Sequence, residues 1–371
     1  MTGKGKERRT IRGPVSFATR RGRWYQRRMP DLPPIRIANV SDNPDLSWAW
    51  LCDLMGADFN IAGRRLEWSS YTMAGDGKAP RYLGRWRGAR RLAADSARAP
   101  YDLIVSHGPW ISAWVEEIAG QKKRGARHLA FSFNFTDLPT GPRHWVMRRN
   151  FKNIDAFAVF TDAEQGLYAD CFGIDRSKLT RAPWGVAPPL KSLQPRHIEG
   201  DYYAALGGEA RDYGLLCEAA RQCPDVRFVA VARPHNFDGL VAPANLEVRF
   251  NLPFEEAWGI VQHARAALVP LRSRETPCGL VTLVGGMHLG KAQIVTDAAG
   301  AADYLKDGET GLLVPAGDAA AIAGAIRRLE ADPALAARLG DAARSYASAH
   351  CSEAHTVRFF GDLLGQWFGG K

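Results

Sequence analysis

Short apolar runs alternate along this chain with longer stretches of helical spacing. Residues 35–40 (IRIANV), placed after Pro33 and Pro34, read as a first strand, followed by strands at 101–105, 128–133, 156–160 and 179–183. Helical spacing appears at 111–118 and 163–171. Residues 187–200 carry Pro188, Pro189 and Pro195 with little periodicity and read as a linker. The alternation then restarts, with strands predicted at 202–206, 226–231, 246–250, 267–270 and 293–296 and helices at 214–223, 254–264 and 280–289. Asp318 is placed to cap a helix running through Leu329. Asp332-Pro333 opens another to about Leu339, and Ser352 a last one ending near Trp367.

Strands separated by helices imply parallel sheets covered on both faces. The expected fold class is therefore α/β, as two doubly wound Rossmann-like domains facing a central cleft. Ligands in such sheets bind beyond the carboxyl ends of the strands. The expected division is a basic tail (1–34), a first domain (35–190), a second domain (191–351) and a C-terminal helix (352–371) able to pack back on the first domain. A length of 371 residues suits two cores. With 46% hydrophobic and 24% charged residues the composition is that of a globular protein, not of a disordered chain, a collagen or a coiled coil. No apolar run is long enough to span a membrane, and no secretory leader is expected. The six cysteines contain no C-x-x-C pair, so a disulfide framework or zinc ribbon is not signalled. A reducing, cytoplasmic setting is the expectation.

Charge changes the picture. The net charge is +10, and residues 1–34 hold ten Lys and Arg against Glu7 and Asp31. Such a segment cannot bury enough surface to order itself. It suits an anionic lipid surface, a solubilising role, nucleic acid or, loosely, an organelle transit peptide. Two more basic stretches mix cations with aromatics: Arg81, Arg85, Arg87, Arg90, Arg91 and Arg98 around Tyr82 and Trp86, and Arg143, Arg148, Arg149 and Lys152 around Trp145. They read either as an interfacial surface for acidic headgroups or as solvated helix faces. A peripheral position on the inner face of a membrane is the matching expectation. Nucleic-acid binding is not expected, since it would rest on the tail alone.

The segment ETPCGLVTLVGGMHLGKAQIVTDAAGAADYLKDGETGLLVPAGD, residues 275–318, resembles the nucleotide-sugar domain of GT-B glycosyltransferases, particularly the retaining family-4 group. Gly290-Lys291, Thr296, Asp307-Gly308, Gly311, Leu312, Val314 and Asp318 carry the likeness. Residues 154–185 resemble the family's last strand–helix–strand before the domain crossing. The resemblance implies the GT-B architecture, a nucleotide diphosphate sugar as donor, no separate cofactor and no metal. Its E-x7-E motif is divergent here. Alignment on Met287 puts Gly285 at the second Glu, and Glu275 meets the first only with an insertion. Ala292 replaces the usual Pro after Gly-Lys, and Ala187 the usual Asp of Gly-Val-Asp.

Candidate site residues follow. Cys278-Gly279-Leu280 leads into an apolar helix whose free N–H groups and dipole suit a diphosphate, or is a plain turn. Thr282 joins the donor-binding set. By the resemblance, Gly207 and Gly208 form the loop facing the diphosphate. The family's Gly-Arg arginine is missing at Gly208, so Arg211 is the available cation for the leaving group, or else an exposed partner of Asp212. Glu275 accepts hydrogen bonds from sugar hydroxyls, or is a surface acid beside Arg272 and Arg274. Arg233 and the Asn251-Leu252 turn sit where the family approaches the nucleotide. His107 occupies the place of a family histidine near the donor sugar; a structural histidine is the alternative. Asn134 and Asp137 are acceptor contacts or Asx-turn residues. No D-x-D or H-x-x-x-H metal pattern occurs, nor a Walker, G-x-S-x-G or G-x-G-x-x-G motif.

These readings converge on a glycosyltransferase acting on a glycan or lipid-linked acceptor in polysaccharide or glycoconjugate biosynthesis, and the resemblance alone implies retention. His107, Arg211 and Glu275 would be its catalytic groups. Two rivals stay open: a binding or scaffolding protein on a decayed transferase fold, and a sugar-nucleotide epimerase of the same fold.

Overall fold

The computed structural model describes residues 32–43, 50–74, 81–123, 125–272 and 274–370. The expected basic tail lies almost wholly outside them. All six cysteines are free thiols. No helix among the described residues is long and apolar enough to cross a membrane.

The first half comprises β1 (Ile35–Ser41), α1 (Trp50–Met55), β2 (Asn60–Ile61), β3 (Arg64–Thr72), α2 (Arg81–Arg98), β4 (Leu103–His107), α3 (Pro109–Ala119), β5 (Arg127–Phe131), α4 (Gly141–Phe151), β6 (Ala156–Val159), α5 (Asp162–Phe172) and β7 (Leu179–Arg181). Its seven strands run in the order β2-β3-β1-β4-β5-β6-β7, all parallel except the β2–β3 hairpin. β1 and β4 are apolar and buried on both faces, as central parallel strands must be. β2 and β3 were not among the predicted strands. β3 is covered on its outer side only by the two-residue β2, at Arg64 and Arg65, and carries Glu67 and Ser69 further along, so solvent exposure erases the apolar signal. Its turn places both Ala62 and Gly63 at positive φ, the geometry of a two-residue hairpin.

The second half adds β8 (Tyr203–Leu206), α6 (Tyr213–Gln222), β9 (Phe228–Ala232), β10 (Leu246–Phe250), α7 (Phe254–His263), β11 (Ala266–Val269), α8 (Leu280–His288), β12 (Ala292–Thr296), β13 (Leu312–Val314), α9 (Ala319–Ala331), α10 (Pro333–His350) and α11 (Glu353–Phe368). Six parallel strands run β10-β9-β8-β11-β12-β13. Chain direction across the sheet reverses between β8 and β11, the switch point where doubly wound sheets bind ligands. Asp212, Asp318 and Asp332 cap α6, α9 and α10 through the N–H groups of Leu215, Ala321 and Leu335, each contributing about 1 kcal/mol. Ser352 does not cap α11 by a side-chain bond to its backbone. Its hydroxyl instead meets His355 Nδ1 at 3.0 Å.

The chain crosses between the sheets twice. After β7 it passes to β8, and after α10 it returns so that α11 packs on the first sheet, with Phe360 and Leu364 buried among Ile35, Leu103 and Phe131. The crossings touch: Val186 N–H donates to Cys351 O (3.0 Å) and Thr356 Oγ1 to Gly185 O (3.0 Å). A Cβ at Gly185 would lie 2.5 Å from Ser352 O, so glycine is needed for this approach.

Within the first sheet's layer, Ser106 Oγ lies 2.7 Å from His128 Nε2, and His128 Nδ1 lies 2.5 Å from Glu116 Oε1. Lys123 Nζ closes the row at 3.0 Å from the same carboxylate. Burial works to raise the Glu116 carboxyl, but His128 and Lys123 outweigh it and hold the group below its usual range. Ser106, His128 and Glu116 are buried. The row therefore clamps β4, β5 and α3 together and offers no nucleophile to solvent.

Candidate active site

β8 ends at Leu206, and the loop that follows is zipped to the loop after β11. Asp212 N–H donates to Pro270 O (3.0 Å) and Arg272 N–H to Ala210 O (3.0 Å). This places Arg211 at the switch point of the second sheet. Arg211 is not the exposed partner of Asp212 that one reading allowed. It is 7% exposed, and its guanidinium is turned inward. Nε donates to Leu206 O (3.2 Å), Nη1 to Glu209 O (3.1 Å) and Nη2 to Thr282 Oγ1 (2.8 Å). These bonds leave two of its five N–H donors over. Among the described residues it joins no ion pair. Burial accordingly pushes its pKa below the ordinary value.

Glycines make the room for this cation. A Cβ at Gly207 would lie 2.7 Å from Nη2, and one at Gly279 3.1 Å from Nη1. Gly279 is also the N-cap of α8, at φ +82°, where a side chain would be strained. The first-turn N–H groups of α8 and the positive end of its dipole thus lie beside a buried guanidinium. Leu280 is buried in the core and offers only its backbone; Thr282 is buried and holds Arg211. Gly207, Arg211, Gly279, Leu280 and Thr282 are therefore brought together.

Gly208 lies at the outer side of this loop. A Cβ there would fall 2.9 Å from Arg233 Cδ and Nε, so Arg233 fills the space a side chain at 208 would take. Arg233 Nη1 pairs with Glu209 Oε1 at 2.9 Å across a largely exposed gap. Asn236 Nδ2 donates to Gly208 O (2.7 Å) and its Oδ1 accepts from Arg233 N–H (3.0 Å), which fixes the loop after β9 on the loop after β8. Leu252 is half-buried and packs against the core cluster that holds Val231 and Trp258.

The remaining predicted residues lie toward the first sheet. Asn134 Nδ2 donates to Glu164 Oε1 (2.9 Å) and to Pro277 O (3.1 Å), so its amide braces the 277 loop; this is not an Asx turn. Thr276 Oγ1 donates to Thr136 O (2.8 Å), and Cys278 Sγ lies 3.8 Å from the same oxygen. Burial raises the Cys278 thiol pKa. Glu275 is exposed and lines a cavity of about 660 Å³ together with Asp137 and His144. His107 is half-buried; Nε2 lies 2.7 Å from Asn39 Oδ1, and the ring packs edge-on to Phe131. An amide oxygen as partner requires the proton on Nε2. Burial pushes the His107 pKa down to about 3, so the imidazole is neutral near pH 7. Both of these partners belong to the first sheet.

Two residues that sequence reasoning missed shape the site. Glu164 is fully buried and takes hydrogen bonds from Asn134, Tyr168 and the N–H groups of Phe160 and Thr161. Burial raises its pKa against those bonds. The Thr161-x-x-Glu164 capping box was the available signal. Trp258 is the second. A Cβ on Gly285 would overlap its indole ring, so position 285 has no room for a side chain. No sequence signal pairs these two positions.

Residues 48–185 match the Glycosyl transferase 4-like domain, and residues 238–346 match Glycosyl transferases group 1. No curated protein matches the chain significantly. Among solved structures, a sucrose-phosphate synthase from Thermosynechococcus elongatus is similar at TM-score 0.69 and 20% identity, over 91% of this chain and 100% of that one. HepE of Anabaena, solved with UDP-glucose, gives TM-score 0.69 at 15% identity over 89% and 99%. A trehalose-6-phosphate synthase, studied for glycosyl transfer with retention, gives 0.67 at 14% identity over 89% and 99%. With one of these domains on each parallel sheet, in this order, the chain belongs to the GT-B glycosyltransferases.

Proposed function

We propose that this chain moves a sugar from a nucleotide diphosphate sugar to a glycan or lipid-linked acceptor, with retention at the anomeric carbon. One observation carries the donor side: a buried guanidinium, without a counter-ion among the described residues, faces the positive end of α8. Two like-signed features packed together raise the free energy of the empty site and lower it when a dianion arrives. The departing diphosphate is that dianion. As the bond from the anomeric carbon to the phosphate oxygen lengthens, charge grows on that oxygen, and the spare N–H groups of Arg211 and the α8 amides stabilise it. On this reading cations and amides, not a metal, neutralise the leaving group. Arg233, standing over Gly208, is the second cation and releases Glu209 to reach the phosphates. Asn251 and Leu252 approach the base through their backbone. Glu275 and Asp137, sharing one cavity, meet sugar hydroxyls. His107, being neutral, contributes hydrogen bonding and not charge. Retention is supported by the likeness to the family-4 group and by the retaining neighbour.

Calorimetry with UDP-glucose and GDP-mannose tests the proposal. Binding is expected, and Arg211→Ala should weaken it about tenfold to a hundredfold, the loss of one or two charged hydrogen bonds. No heat with any UDP- or GDP-sugar would instead support the scaffold. Conversion of the sugar nucleotide without acceptor would support the epimerase.

A further inference from the structure

A groove of about 510 Å³ runs between α2, α3 and α4, away from Arg211 and α8. That volume is in the roughly 300–1,000 Å³ range of small-molecule sites. Trp110, Trp114 and Met147 give it an indole and thioether lining, and Tyr82 and Val146 border it. Its polar wall residues are already satisfied. Glu117 is paired with Arg149 and Asn150, and Asn150 also donates to Ala113 O (3.1 Å). Arg85 stacks over the Trp110 ring (5.8 Å), while Arg143 is exposed and in no ion pair among the described residues.

Trp110, Pro142 and Arg143 also line the adjoining cavity, whose far wall is the 134–140 loop. That loop touches Thr276 and Pro277 of the second sheet. The groove therefore leads to the place where the sheets face each other. Around its mouth, Tyr82 (62% exposed) and Trp145 (63% exposed) stand free of the core. Arg149 lies over the Trp145 ring at 5.4 Å. Aromatic rings among arginines suit the headgroup level of a bilayer.

We propose that this groove holds the acceptor and that the acceptor is a lipid phosphate. Its hydrocarbon chain covers the indoles, its phosphate meets Arg143, and its glycosylated end reaches the 134–140 loop. The assignment rests on the transferase reading above and adds the acceptor class to it. A carbohydrate chain is disfavoured because the groove's amide and carboxylate already have partners.

The test titrates the full chain with farnesyl phosphate, and separately with farnesol, inorganic phosphate and maltotriose. Farnesyl phosphate should bind at least tenfold more tightly than any of the other three. Arg143→Ala should weaken it about fivefold and Val146→Asp about tenfold, with UDP-glucose affinity unchanged in both. Arg143 is exposed and Val146 half-buried at the groove, not in the core, so folding should survive, and circular dichroism checks this. Farnesyl phosphate binding no better than inorganic phosphate, or equally to all variants, overturns the proposal. So does maltotriose binding that Val146→Asp abolishes. Phosphatidylglycerol vesicles that compete fully with farnesyl phosphate would give the groove to bulk bilayer and also overturn it. Failure of every UDP- and GDP-sugar to bind the wild type would remove the transferase reading while leaving the farnesyl phosphate result standing.

Discussion

Position 285 is a glycine because a tryptophan occupies its side-chain volume. Gly285→Glu would drive a carboxylate into the Trp258 ring in a buried helix. Overpacking and an unpaired buried charge together should cost more than about 3 kcal/mol. A urea midpoint reads this, and Trp258→Ala added to Gly285→Glu should recover part of the loss by making room. His107 makes a second prediction. Its pKa is about 3 in the fold and near 6.5 in the unfolded chain, so the unfolded state takes up the proton first. Stability from this group is full above about pH 6.5 and falls as pH drops from there toward 3. The urea midpoint of the wild type should therefore decline faster between pH 7 and pH 5 than that of His107→Gln. Equal slopes would show that the ring is not held neutral. At this scale the donor loop was partly legible, since a glycine before an apolar helix marks a place where backbone must approach an anion. Arg211 was legible as a cation but not as a buried one. Burial comes from Thr282 and the 269–271 segment folding over it, which one dimension does not display.

Elements repeat that contrast. Strands buried on both faces, such as β1, β4 and β9, announce themselves as apolar runs. β3 does not, because its Arg and Glu residues meet water, and α10 runs on to His350, well past the end read at Leu339. α8 depends on its first residue more than on its propensity. Gly279→Ala would place a Cβ at φ +82°, 3.1 Å from Arg211, Leu271 and Val269 side chains. About 1–2 kcal/mol of backbone strain is expected, and moving Arg211 should also lower affinity for a UDP-sugar. Thermal melts with and without UDP-glucose separate the two effects: the apo melting temperature should drop, and the ligand-induced rise should shrink. On the first-sheet side, the Asn134 link to Glu164 and Pro277 spans residues 134 to 277 in sequence, and no local pattern foretells such a pairing.

For the molecule as a whole, α11 returns to a sheet whose last strand ends at Arg181. Phe360 is fully buried, with its ring centroid 5.0 Å from that of Phe131. Phe360→Ala should cost about 3–5 kcal/mol, seen as a lower melting temperature; a loss below 1 kcal/mol would mean that α11 is not held there. The alternation of strands and helices made two sheets legible. What sits between them was not, because it is made of contacts between distant loops. The two chain crossings lie side by side, pinned by Val186 to Cys351 and Gly185 to Thr356. The 134–136 and 276–278 loops meet through a few hydrogen bonds. Such a molecule is expected to open like a clam shell, with its pivot at Gly185. Gaping at the lip requires those loop bonds to let go, while the pivot keeps its registry and Tyr304, bonded to Phe160 O and Trp184 N–H, ties the halves nearer to it. Amide hydrogens lining the lip should then exchange with deuterium well ahead of Val186, and a sugar nucleotide bridging the lip should slow them.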